Sequence, residues 1–197
     1  MSRTATLLVG LLLALGLLAG CGDDDSGPDV TEVANFEVDL PDGWTSASDD
    51  ELQQVGSAGL SATEEETGSD IDRSRVDVLA IFRSDATSGG FQPNANVFRE
   101  SIGNASLRQY LAFSYEQLAR AGAEITQKGS GPSVGGEPSR LTEYETSFQG
   151  SDTLTVRTLT LIRDGDAYNI TLTALPDQFD DAAAGFDQIV SSWQWSE

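Results

Sequence analysis

The stretch from Asp152 to Leu175, DTLTVRTLTLIRDGDAYNITLTAL, constrains the fold more than any other part of the chain. Leu154, Val156, Thr158, Thr160 and Ile162 alternate with Thr155, Arg157, Leu159 and Leu161, the two-residue period of a strand whose faces differ. Asp164 and Gly165 then supply favourable turn chemistry for antiparallel pairing, and a second β-rich run follows. This pair is the strongest strand evidence in the chain.

Other strands are weaker but legible. NFEVDLPDGW places Phe36, Val38 and Leu40 opposite Glu37 and Asp39 and stops at Pro41, with Trp44 expected to fold back onto the core. SRVDVLAIFR reads as an interior strand, with Val76, Val78 and Ala80 on one side. A short strand is expected at 96–99 after a loop set by Gly89, Gly90 and Pro93. AEITQ is a further candidate, KGSGPSVGGEPS reads as a loop, and 140–148 alternates again. A short helix is expected near 50–55, before a Gly-, Ser- and Glu-rich stretch.

Two helices are clearer. Ser106 and Gln109 fit a capping box, and Leu107, Tyr110, Leu111, Ser114, Tyr115 and Leu118 recur at helical spacing up to Gly122. Gln117 and Arg120 fall on the side expected to face water. At the C-terminus Phe179, Ala183, Phe186, Ile189 or Val190, and Trp193 recur at intervals of three and four. Asp177, Asp180 and Asp181 lie near the amino end, where the helix dipole favours them. Strands and two patterned helices imply an α+β sandwich with a largely antiparallel sheet covered by helices.

The N-terminus carries a different message. Arg3 precedes a leucine-rich run from Leu7 to Leu18, too short to span a bilayer and not followed by a basic stop signal. The run ends in LAGC, which resembles the lipobox of bacterial lipoproteins. That resemblance implies cleavage before Cys21, acylation of its sulfur, and a mature chain held at the extracytoplasmic face of the cell membrane. Residues 1–20 are accordingly read as a lipoprotein signal peptide, 21–34 as a lipidated flexible acidic tether, and 35–197 as one domain. The alternatives are an ordinary secreted protein or an uncleaved hydrophobic anchor in which the cysteine has no role, and intermolecular pairing of the lone cysteine, which nothing nearby favours. Asp23, Asp24 and Asp25 lack the preorganised cage of a tight calcium site.

Charge excludes some partners. Eleven Lys and Arg stand against 32 Asp and Glu, a formal net charge of −21, which repels nucleic acid and anionic head groups. Adaptation to high salt and simple acidic bias both account for this balance. Histidine is absent, so Ser-His-Asp, Cys-His and histidine-metal arrangements are ruled out. No phosphate-cradling loop, dinucleotide fingerprint or nucleophile elbow occurs. The sole lysine, Lys128, stands in a breaker-rich stretch. Paired carboxylates are the remaining enzymatic option, and Glu64, Glu65 and Glu66 read as a solvated loop. Trp193, Trp195, Tyr110 and Tyr115 are expected in or near the core, with a ligand platform as the alternative. Asn104 begins a glycosylation sequon but reads more simply as part of the helix cap.

FEVDLPDGW, FQPNANVFRES, SLRQYLAFSYEQLARAG, GGEPSRLTEY, GDAYNITLTA and FDQIVSSWQW together resemble the Mog1/PsbP-like α/β/α sandwich superfamily, most of all bacterial envelope lipoproteins of the LpqN or DcrB type. The resemblance spans roughly 36–195. It implies a non-enzymatic, protein-binding or accessory module of the cell envelope, with no cofactor and no shared catalytic site. A histidine-based metal role would have no matching residue here. The alternative is a lipoprotein that takes a small molecule or lipid in a cleft between sheet and helix.

Overall fold

A computed structural model describes residues 30–33, 35–54, 56, 57, 61, 72–87, 90–147 and 153–196. Cys21, the signal-peptide stretch, Asp23 to Asp25 and Glu64 to Glu66 lie outside them. The strands are β1 (Val30–Val33), β2 (Phe36–Asp39), β3 (Trp44–Ser46), β4 (Val76–Ser84) and β5 (Asn94–Ser101). Helix α1 (Leu107–Arg120) leads into β6 (Glu124–Val134), β7 (Glu137–Ser147), β8 (Thr153–Arg163) and β9 (Asp166–Ala174). Helix α2 (Phe179–Ser192) and the short β10 (Gln194–Trp195) close the chain. Residues 49–54 are also helical.

The strands form a seven-stranded antiparallel sheet in the order β3-β4-β5-β9-β8-β7-β6, and a small sheet in the order β1-β2-β10. Helices flank both faces, giving an α+β α/β/α sandwich. The hairpin read from sequence is β8–β9. Asp164 and Gly165 have φ of 53° and 86°, the two positive values a two-residue type I′ turn requires. Pairing runs from Arg163↔Asp166 to Thr155↔Ala174.

One face of the sheet is oil. Ala80, Phe82, Ala95, Val97, Leu159, Leu161, Ile170 and Leu172 meet Phe179, Ala182, Ala183, Phe186, Ile189 and Val190 of α2, with Phe36 and Val38 of β2 beside them. Trp44 does fold back onto this core. Gly185 lets α2 approach it: a Cβ there would overlap the indole nitrogen and stand 2.8 Å from Cε2.

Several expectations change. β1 lies inside the stretch read as tether, so strand pairing starts before residue 35. β4 carries a register shift between Val78 and Ala80. The bulge turns Ala80 to the α2 side, away from Val76 and Val78, because one extra residue reverses the alternation. β5 is twice the expected length. KGSGPSVGGEPS is not a loop: β6 runs through it and turns at Gly135-Gly136 into β7. Gly131 and Pro132 are tolerated because β6 is an edge strand whose register shifts between Ser130 and Ser133.

Candidate functional site

The opposite face of the sheet carries the candidate site. Alternation that buries Leu159, Leu161, Ile170 and Leu172 against α2 necessarily sends Thr158, Thr160, Asn169, Thr171 and Thr173 to the other side. β5 adds Asn94, Asn96 and Glu100. Cross-strand register sets these out in rows. Tyr144, Val156, Thr173 and Asn94 make one; Thr142, Thr158, Thr171 and Asn96 the next; Arg140, Thr160, Asn169 and Phe98 the third. A face so rich in threonine normally meets water. Here Asn94, Asn96, Glu100, Thr142, Thr158, Thr160, Asn169, Thr171 and Thr173 are all buried.

Helix α1 is the cover. Its capping box forms as read: the Gln109 amide donates to Ser106 Oγ, and the Ser106 amide donates to Gln109 Oε1 at 2.9 Å. At the other end Gly122, with φ 75°, lets the Ala123 amide bond Leu118 O and its own amide bond Ala119 O. The helix is thus fixed by its own ends. Its buried residues are Tyr110, Ser114, Gln117 and Leu118, only two of which carry substantial apolar surface.

Gln117 corrects the sequence reading, which put it in water. At 100° per residue it shares a stripe with Tyr110, two turns earlier, and that stripe faces the polar rows. Tyr115 and Leu118 lie on the other flank. The Tyr115 hydroxyl stands 3.4 Å from Thr142 Oγ1, and Leu118 packs with Tyr144, Leu154 and Val156.

Part of the seam is fully wired. Thr160 Oγ1 donates to Asn169 Oδ1 at 2.8 Å, Asn169 Nδ2 donates to the Tyr110 hydroxyl at 2.7 Å, and that hydroxyl donates to Glu100 Oε2 at 3.1 Å. Burial and the Glu100 charge push the Tyr110 phenol well above its ordinary range, so it stays a donor. Thr158 and Thr171 hydroxyls meet at 3.1 Å.

The other part is not wired. Asn96 Oδ1, Gln117 Oε1, Thr173 Oγ1 and the Tyr144 hydroxyl are buried without a hydrogen-bond partner. Burial pushes the Tyr144 phenol up, and Thr158, close enough to temper that shift, does not complete a hydrogen bond with it. Buried polar atoms are nearly always satisfied, so these oxygens set this face apart from the rest of the interior.

The aromatic residues read as a possible platform are mostly core. Trp193 stacks on Phe36 with centroids 3.8 Å apart, and Trp195 is half-buried with the Arg163 guanidinium 4.7 Å from its ring. Lys128 lies on β6 with Nζ 3.8 Å from the centre of the Tyr115 ring, in no apolar pocket. Ser106 serves as the helix cap. Among the described residues no group of three His, Cys, Asp or Glu side chains is placed to hold a metal ion, and no helix is long and apolar enough to cross a membrane.

No family's sequence profile matches the chain, and no curated protein matches it. Solved structures do share its architecture. Cyanobacterial PsbP (CyanoP) from Synechocystis sp. PCC 6803 superposes with a TM-score of 0.55 at 15% identity, covering 91% of this chain and 99% of that one. LpqN of Mycobacterium tuberculosis, involved in cell envelope biogenesis, gives 0.50 at 11% identity over 82% of this chain and 83% of its own. At this identity the likeness is one of fold: the chain shares its α/β/α sandwich architecture with both structures.

Proposed function

We propose that this protein is a lipoprotein anchored at the extracytoplasmic face of the cell membrane, acting as a non-enzymatic binding or accessory module of the envelope. The observation that carries the reading is LAGC, ending in the chain's only cysteine, between an apolar run and an acidic segment. Cleavage after residue 20 would leave Cys21 as the acylated first residue, and residues between it and β1 would link the anchor to the domain. Confinement near the membrane raises the domain's effective concentration for envelope partners. Its charge of −21 favours contact with the bilayer through acyl chains and disfavours nucleic acid. LpqN's envelope role supplies an analogy at the level of fold.

A second reading, capture of a small molecule between sheet and helix, is favoured by the unpartnered oxygens of Asn96, Gln117 and Thr173. The anchor is tested by fractionating cells that express the wild-type chain or Cys21→Ser. Membrane association of the wild type and release of the variant are expected. Equal partition of the two would remove the anchor from the account.

A further inference from the structure

We infer that the seam beneath α1 is a binding site for a small neutral polyol. The inference builds on the second reading above and gives that ligand a chemistry. Three oxygens carry it: Asn96 Oδ1 and Thr173 Oγ1 in the sheet, and Gln117 Oε1 in the helix above, each buried and without a hydrogen-bond partner.

All three belong to the interface between α1 and the sheet. Thr173 pairs with Asn94, two residues from Asn96 on the same face, so Thr173 and Asn96 are diagonal neighbours with Cα atoms about 7 Å apart. Tyr110 fixes the helix over Asn169. Gln117, seven residues on, stands about 10.5 Å further along the axis. Leu118 beside it packs on Val156, the row partner of Thr173, so the helix travels toward that end. Gln117 is thereby carried away from the Asn169 row, toward the end of the seam where Val156 and Thr173 pair.

The chemistry is selective. Two amide carbonyl oxygens accept only, and a hydroxyl does either, so the complement must donate several hydrogen bonds. The carboxylates bordering the seam are committed, Glu100 to Tyr110 and Glu51 to Arg83 at 3.1 Å. A neutral occupant therefore fits better than an ion. A compact molecule bearing several hydroxyls supplies such donors.

Entry has a route in the uneven attachment of the two helices. α2 buries Phe179, Ala182, Ala183, Gly185, Phe186, Ile189 and Val190, whereas α1 buries Tyr110 and Leu118 with two polar residues. Opening the seam from this side breaks the bonds of the Tyr110 hydroxyl to Glu100 and Asn169.

The test is a titration of the ¹⁵N-labelled full chain in detergent with glycerol, myo-inositol and glucose, following the side-chain amides of Asn96 and Gln117. Trimethylamine N-oxide, which accepts hydrogen bonds but donates none, is the control. Saturable shifts at both amides with a polyol, none with the control, and at least tenfold weaker binding in Thr173→Val and Gln117→Leu are expected. Thr173→Val keeps the β-branched shape, so loss of binding in a folded variant reports the hydroxyl. If no polyol gives a saturable shift but native mass spectrometry finds another molecule retained in a seam-dependent way, the polyol assignment falls and the cleft reading survives. Long-lived water at both amides with nothing else bound overturns both.

Discussion

Thr160 and Thr173 sit on the same face of the same sheet, both buried, yet Thr→Val should move stability in opposite directions. Thr160 Oγ1 donates to Asn169 Oδ1 at 2.8 Å. Replacing it with valine removes that bond and leaves the asparagine oxygen buried without it, a loss of about 1–3 kcal/mol. Thr173 Oγ1 has no partner and its residue is fully buried. Removing a buried, unsatisfied hydroxyl recovers its desolvation cost, about 1–2 kcal/mol, and valine keeps the strand-favouring branch at Cβ. In a domain of this size the gain raises Tm by about 2–4 °C per kcal/mol. Urea unfolding in polyol-free buffer, with unchanged m-values, measures both variants. If Thr173→Val loses as much stability as Thr160→Val, the hydroxyl is satisfied and the seam is ordinary interior.

Three further outcomes follow from the same geometry. Gly185→Ala, which helix propensity alone would favour by about 1 kcal/mol, should instead destabilise by up to about 2 kcal/mol because the new Cβ meets the Trp44 indole; urea midpoints decide. Tyr110→Phe should cost about 2–4 kcal/mol in the same assay, since it removes a donor to Glu100 and leaves the Asn169 amide unpaired. Tyr110 and Tyr144 have phenols raised in the folded state, so their neutral forms support the fold fully below pH ~10 and lose that contribution as pH rises beyond it. A pH titration of the urea midpoint should show an alkaline fall that becomes shallower in Tyr144→Phe.

What was legible in the sequence was whatever depends on local pattern. The β8–β9 hairpin, the Ser106–Gln109 capping box and the α2 stripe each announce themselves through spacing that one element's own geometry imposes. β6 was hidden because Gly131 and Pro132 signal a break, and only its edge position with a register shift makes them tolerable. The polar seam was hidden more deeply. Thr158, Thr160, Thr171 and Thr173 have strong strand propensity and polar tips, so their alternation reads as a face toward water. Gln117 likewise reads as solvent-facing on an amphipathic helix. That α1 lays this polar stripe on that polar face depends on long-range topology, which no local period encodes. The advance sign was four threonines at alternate positions of a hairpin whose charged residues, Arg157 and Arg163 among them, fall out of phase with them.

The anchoring claim meets its most direct test in the mass of the N-terminal peptide of the protein isolated from its source. The account expects a chain that begins at Cys21 and carries covalently bound acyl chains. An N-terminus elsewhere, or an unmodified Cys21 thiol, would contradict it.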